Sequence, residues 1–268
     1  MIWLAIGLTG AAYALAWRPR LRVVGQGRGF GLRHRQAVAF AGGLLLWAVV
    51  SSPAADALAQ RFFWAVCAQR MLLVMAVAPL LCAGAPAAVL CRSLPGAAAL
   101  ARRAPRLYGP VAGFLAVNLA MWAAAIPGIM ALLLRSPVAH LGEQLLFVAL
   151  GVLFWAQVID QLPRRSGLSH LKRATYLLLA STQQRVLGLV LGFAQTPFYA
   201  HYVGRLGQAG ALTDQQVGAG ILLVPGVLTD TVALTVCFFL WLNDDAHGKS
   251  GARTRAELAA APGWRPRS

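Results

Sequence analysis

The chain has 268 residues, of which 59% are hydrophobic and 12% charged, too apolar and too sparsely charged for an ordinary soluble domain. Its formal net charge of +16 comes from 24 Lys and Arg against 8 Asp and Glu, and the basic residues fall in short blocks between apolar runs. That distribution excludes a nucleic-acid-binding face and fits the cytoplasmic loops of a membrane protein.

A helix needs about 20 mostly apolar residues to cross a hydrocarbon core of roughly 30 Å. In chain order, seven windows meet or approach that length: 1–17, 37–52, 62–90, 111–134, 140–159, 174–195 and 217–242. The first is apolar from its start and lacks the basic n-region of a cleavable signal peptide, so it reads as a retained helix. The first loop carries Arg18, Arg20, Arg22, Arg28, Arg33 and Arg35. The third carries Arg92, Arg102, Arg103 and Arg106, and the fifth Arg164, Arg165, Lys172 and Arg173. The alternate loops hold Arg61, Arg135 and Arg205. The positive-inside rule then predicts an all-α integral membrane protein: a seven-transmembrane-helix bundle over 1–242, N-terminus periplasmic and C-terminus cytoplasmic. The remaining 243–268, polar and rich in Gly, Arg and Pro, is expected to be a disordered basic cytoplasmic tail. Cys67, Cys82, Cys91 and Cys237 show no CxxC spacing, so neither a disulfide framework nor a zinc finger is implied.

On this topology the unusual residues gather near the non-cytoplasmic helix ends. Cys67, Gln69 and Arg70 lie early in the third window, Pro127 late in the fourth, His140, Glu143 and Gln144 at the start of the fifth, and His201 and Asp214 in the loop before the seventh. His140, Glu143 and Gln144 stand at i, i+3 and i+4, on one helix face. Copper(I) favours thiolate and imidazole, so Cys67, His140 and His201, with Glu143 as auxiliary, are the candidate metal ligands. The competing reading makes Cys67 an apolar filler, His140 an interfacial residue and His201 an exposed loop residue. Arg185 and Asp230 fall near the middle of the last two windows, where lone charges are disfavoured, and are expected to pair, with Gln183 and Gln184 beside them. Such a pair is either a structural clamp or the midplane site of a small-solute or ion transporter or channel. Pro79, Pro86, Pro127 and Pro225 are expected to kink or end helices, and Gly188 and Gly192 to permit close helix contact. Trp47, Trp64, Trp122, Trp155 and Trp241 read as membrane anchors. No HExxH, GxSxG or paired-aspartate motif occurs, and the chain does not read as an enzyme.

Several segments together carry a resemblance. They are His140-Leu-Gly-Glu143-Gln144-Leu-Leu-Phe147, Gly151-Val-Leu-Phe154-Trp155, Thr196-Pro197-Phe-Tyr199-Ala-His201-Tyr202, and Asp214-Gln215-Gln216 leading to Val224-Pro225-Gly226. In order and spacing they resemble the CtaG family of bacterial cytochrome c oxidase assembly factors, seven-helix proteins associated with copper supply to haem-copper oxidases. The family's His-x-x-Gln-His motif in the third helix reads Val66-Cys67-Ala68-Gln69-Arg70 here, without either histidine. Its Trp-His-x-Pro reads Ala124-Ala125-Ile126-Pro127, and Gln144 stands where a second fifth-helix histidine belongs. The resemblance implies an assembly or accessory factor for a haem-copper oxidase in a bacterial inner membrane, with oxidase subunits and lipid as partners and copper as the expected metal. Arg70 lies about 12 Å below the start of its helix, where an ionised group needs a partner or must snorkel. Glu143, at comparable depth, is the expected partner, their salt bridge occupying the space where the family places histidines.

Overall fold

The structure, a computed structural model, describes residues 2–17, 29–84, 109–159 and 170–260. Every regular element among them is helical. In order they are α1 (Ile2–Trp17), α2 (Gly29–Val50), α3 (Pro53–Arg61), α4 (Phe63–Ala83), α5 (Pro110–Ala125), α6 (Pro127–Arg135), α7 (Pro137–Trp155), α8 (His170–Gly192) and α9 (Ala200–Ala260). Within α9 the helix breaks at Gly207, whose φ of 71° suits a residue without a Cβ. The arginines of the third loop, Cys91, and the side chains of Asp230 and Cys237 lie outside the described residues.

Among the described residues α4 and α7 are long and apolar enough to cross a membrane. The bent pairs α2–α3 and α5–α6 raise the number to four if each is one broken span, and Ile2–Leu15 forms a shorter apolar helix. Two departures from straight spans concern the same end of the molecule. The stretch after Ser52 forms α3, turned 49° from α2, and the window 111–134 is split at Ile126 into α5 and α6, bent by 82°. The cause is local. Ser52 caps α3, its hydroxyl accepting from the Ala55 amide at 3.3 Å with Pro53 as first residue, a favoured helix start. Ile126, held extended by the proline behind it, ends α5, and Pro127 opens α6. A third departure is that 200–206 and 208–216, expected as loop, are helical, so His201 and Asp214 sit on helix. The helix also continues through 243–260, where a disordered tail is expected. Its Ala-Arg-Thr-Arg-Ala-Glu-Leu-Ala-Ala run contains no helix breaker before Pro262.

α4 is the central element, in contact with α2, α3, α7 and α9, while α8 packs chiefly along α9. Two glycines set the last of these crossings. A Cβ on Gly188 would come within 2.8 Å of Leu223, and one on Gly192 within 3.3 Å of Ala219, so the small-xxx-small face of α8 lies directly on α9.

In mid-helix α4 carries a π-turn over Leu73–Val77 just before Pro79. The Ala78 amide bonds to the Leu73 carbonyl instead of that of Val74, and Pro79 has no N–H to offer in its place. Val74 would be left with an orphan carbonyl in the core, and Trp155 supplies the donor: its Nε1 lies 2.8 Å from Val74 O. Gly151, one turn earlier on α7, lets the two backbones approach, since a Cβ there would come within 2.8 Å of Ala78 Cβ. Trp155 and Trp47 are both only 4% exposed, so neither is the interfacial anchor that an apolar flank suggests; each points into the bundle.

Candidate functional site

The connections α2–α4, α5–α7 and α8–α9 lie at one end of the bundle, and each carries a short helix: α3, α6 and the segment 200–206. Side-chain hydrogen bonds knit them together. Gln60 of α3 donates its amide to Leu134 O at 2.9 Å, and its own carbonyl lies 3.0 Å from His201 Nε2. Tyr202 donates to Ala59 O at 2.8 Å, and Tyr199 to Ala125 O at 2.9 Å, capping the carbonyl that the α5–α6 break exposes. Tyr199 also stacks on Phe63 with ring centroids 4.5 Å apart.

Beneath this layer lies a connected polar network. Arg70 and Glu143 are both buried; Arg70 Nε and Nη2 stand 2.7 and 2.6 Å from Glu143 Oε1. The guanidinium also approaches Met130 Sδ at 3.7 Å and lies over the Phe147 ring. The other Glu143 oxygen is 3.5 Å from His140 Nδ1, and His140 Nε2 is 3.1 Å from Asp56 Oδ1. That Asp56 oxygen also receives Gln69 Nε2 at 3.0 Å and Gln144 Nε2 at 3.2 Å. Gln69 bonds Val50 O as well, tying the end of α2 into the network. The chain of contacts therefore runs from Arg70 on α4 through Glu143 and His140 on α7 to Asp56 on α3. Asp56 lies outside the apolar windows. Burial alone would raise its carboxyl, but the hydrogen bonds from His140, Gln69 and Gln144 outweigh that and hold it below its ordinary value.

The expected ligand set does not converge. Cys67 is 1% exposed and faces α9, where a Cβ on Gly218 would meet its Sγ at 3.2 Å. His140 belongs to the network under α3, and His201 is engaged with Gln60 on the layer above. Among the described residues no group of three or more His, Cys, Asp or Glu side chains is placed to hold a metal ion. Around Arg185 the polar residues separate: Gln184 is buried and donates to Met71 Sδ on α4, whereas Gln183 is exposed. Its expected partner, the Asp230 side chain, lies outside the described residues.

Asp214 has a distant role that its sequence position does not announce. Its carboxylate receives the Phe63 amide at 2.6 Å and the Trp64 amide at 3.4 Å, so a residue of α9 caps the N-terminus of α4, which has no cap of its own. Burial raises the Asp214 carboxyl above its ordinary value, and the two amide bonds only partly offset this. Gln215 accepts from the Phe198 amide at 2.8 Å and donates to Leu191 O at 2.9 Å, stapling the α8–α9 connection.

A family model for the cytochrome c oxidase caa3 assembly factor, Caa3_CtaG, matches residues 11–244. The chain belongs to this family. No curated protein and no solved structure matches it. With helices long and apolar enough to cross a bilayer, this member of the cytochrome c oxidase assembly factors is a membrane protein. The family supports the assembly role and gives no support to the transporter alternative. The segments by which the chain resembles CtaG proteins act here as joinery: Gly151 and Trp155 seat α7 on the π-turn, Tyr199 and Tyr202 tie down the outer layer, and Asp214 and Gln215 fasten α9 to α4 and α8.

Proposed function

We propose that this CtaG family member is a non-enzymatic assembly factor for a haem-copper cytochrome c oxidase, acting at the periplasmic face of a bacterial inner membrane. The observation that carries the proposal is the family match across residues 11–244. The topology that goes with it is a seven-helix domain over 1–242 with the N-terminus periplasmic, followed by a basic cytoplasmic extension. Its support is the arginine alternation between loops, which assigns the end carrying α3, α6 and 200–206 to the periplasm. Oxidase subunits are the partners, and the layer of short helices is the surface presented to them.

Holding a subunit during biogenesis suits this end better than carrying copper does. A copper centre built from Cys67, His140, Glu143 and His201 would need His140 to leave Asp56, His201 to leave Gln60, and Cys67 to come out from under Gly218. Arg70, on the position where the family has a histidine, puts a fixed cation beside Glu143. Copper delivery is the finer form of the proposal, and metal analysis separates the two. In a deletion strain oxidase activity is expected to fall, with no copper on the purified protein. Stoichiometric copper with lost oxidase would favour delivery, and normal oxidase in the deletion strain would overturn both forms.

A further inference from the structure

The outer loops carry one basic residue each under the positive-inside pattern, and the fold gathers all three. Arg61 is the last residue of α3, Arg135 the last of α6, and Arg205 lies one turn after His201. Gln60 joins the places where they stand. It is the neighbour of Arg61 in sequence, it bonds the carbonyl of Leu134 beside Arg135, and its carbonyl meets His201, which shares a helix face with Arg205. All three arginines are exposed, and among the described residues none of them is in an ion pair. The only acid on the three short helices, Asp56, is spent on His140, Gln69 and Gln144. Asp214, whose carboxylate takes the Phe63 and Trp64 amides, is buried, and the end face presents cations that no carboxylate among the described residues pairs with.

Helix C-termini favour a basic residue, and that accounts for each arginine singly. It does not account for all three standing next to residues joined by one glutamine, on the side where basic residues oppose the orientation signal. Guanidinium groups pair with carboxylates in two-pronged geometry, and exposed ones are free to do so.

We propose that Arg61, Arg135 and Arg205 form a docking surface for a carboxylate-rich extramembrane segment of a partner protein. The placement favours a protein over lipid headgroups. Their common neighbour Gln60 sits on α3, which packs on the central α4 and is bonded to α6 and to the start of α9, whereas headgroups ring the perimeter. The proposal rests on the assembly reading only for the partner's identity, an oxidase subunit; the acid-binding surface stands apart from it.

The test uses the full chain reconstituted in nanodiscs of purely zwitterionic lipid, with a fluorescent oligoglutamate peptide as probe and an oligoserine peptide as control. Oligoglutamate is expected to bind, more weakly as salt rises, and the triple variant Arg61→Gln, Arg135→Gln, Arg205→Gln is expected to bind roughly tenfold more weakly or worse. Its thermal unfolding should match that of the unaltered chain, since the three side chains are exposed, and each single variant should lose part of the affinity if the triple variant fails to fold. Equal binding by the triple variant and the unaltered chain would overturn the proposal. So would loss of peptide binding when a few per cent of anionic lipid is added to the nanodisc, which would name the headgroup as occupant. Loss of oxidase in a strain carrying the triple variant extends the surface to assembly. Oxidase unaffected by both the variant and the deletion, with peptide binding intact, would remove the assembly reading alone.

Discussion

Two buried polar features lie four residues apart on α4 and are satisfied by opposite means. Arg70, toward the end that carries α3, is a buried cation and is answered by the Glu143 carboxylate. Val74, in the π-turn, exposes a neutral carbonyl and is answered by the Trp155 indole. Both answers come from α7, so this one helix holds both the ionic and the neutral seam of the core. The comparison teaches that the two sites fail differently: one leaves a buried charge, the other a buried dipole.

The largest effect is therefore expected at the charge. Glu143→Gln leaves the Arg70 guanidinium without its counter-ion in a site that excludes water, a loss of about 3–5 kcal/mol, seen as a fall in folded yield and in the unfolding temperature in detergent. Arg70→Met together with Glu143→Leu should recover most of that stability, because an apolar pair of similar volume carries no desolvation cost. A double variant as unstable as Glu143→Gln would show that the pair contributes through something other than charge compensation.

Trp155→Phe removes the donor but keeps the ring, and should cost about 1–3 kcal/mol for the unpaired Val74 carbonyl. Pro79→Ala restores an N–H within reach of that carbonyl, so the tryptophan replacement should cost less in the Pro79→Ala background. Strict additivity of the two changes would contradict the role assigned to the indole. Gly151→Ala probes the same seam by crowding, with an expected loss of about 1–3 kcal/mol as its Cβ meets Ala78.

Sequence reasoning reaches these two features unequally. Charge at depth demands a partner, and counting residues from the helix ends is enough to bring Arg70 and Glu143 together. The expected copper ligands are engaged apart from one another for a reason that periodicity does not carry: it places His140 and Cys67 on faces of their own helices but says nothing of how one helix is rotated against another. Cys67 lies with Phe63 against Gly218 of α9, while His140 is held by Asp56 of α3. Trp155 is invisible as a hydrogen-bond donor in an apolar run, although Pro79 announces that a carbonyl near Val74 lacks a partner. Asp56 is missed because 53–61 is too polar for a span and reads as loop. The Ser52-Pro53 and Ser136-Pro137 pairs, each a cap followed by proline, are the signals that mark the helices bearing Asp56 and His140.

The smallest effect belongs to the outer edge of the ionic seam, where α3 is held. Asp56 has a folded value below its ordinary 3.8, so its contribution is complete above that value and is lost as pH falls through the depressed one. Because the side chain is 40% exposed, solvent screens the interaction and the change should be modest. Amide hydrogen exchange gives the local reading: protection of α3 should fall a few-fold on acidification below about pH 4 while that of α4 holds. Asp56→Asn should show the lowered protection already at neutral pH and flatten its pH dependence, since an amide has no proton to gain. If α3 and α4 lose protection together, the acid is acting on the whole bundle through Arg70 and Glu143, and the latch formed by Asp56 has no separate existence.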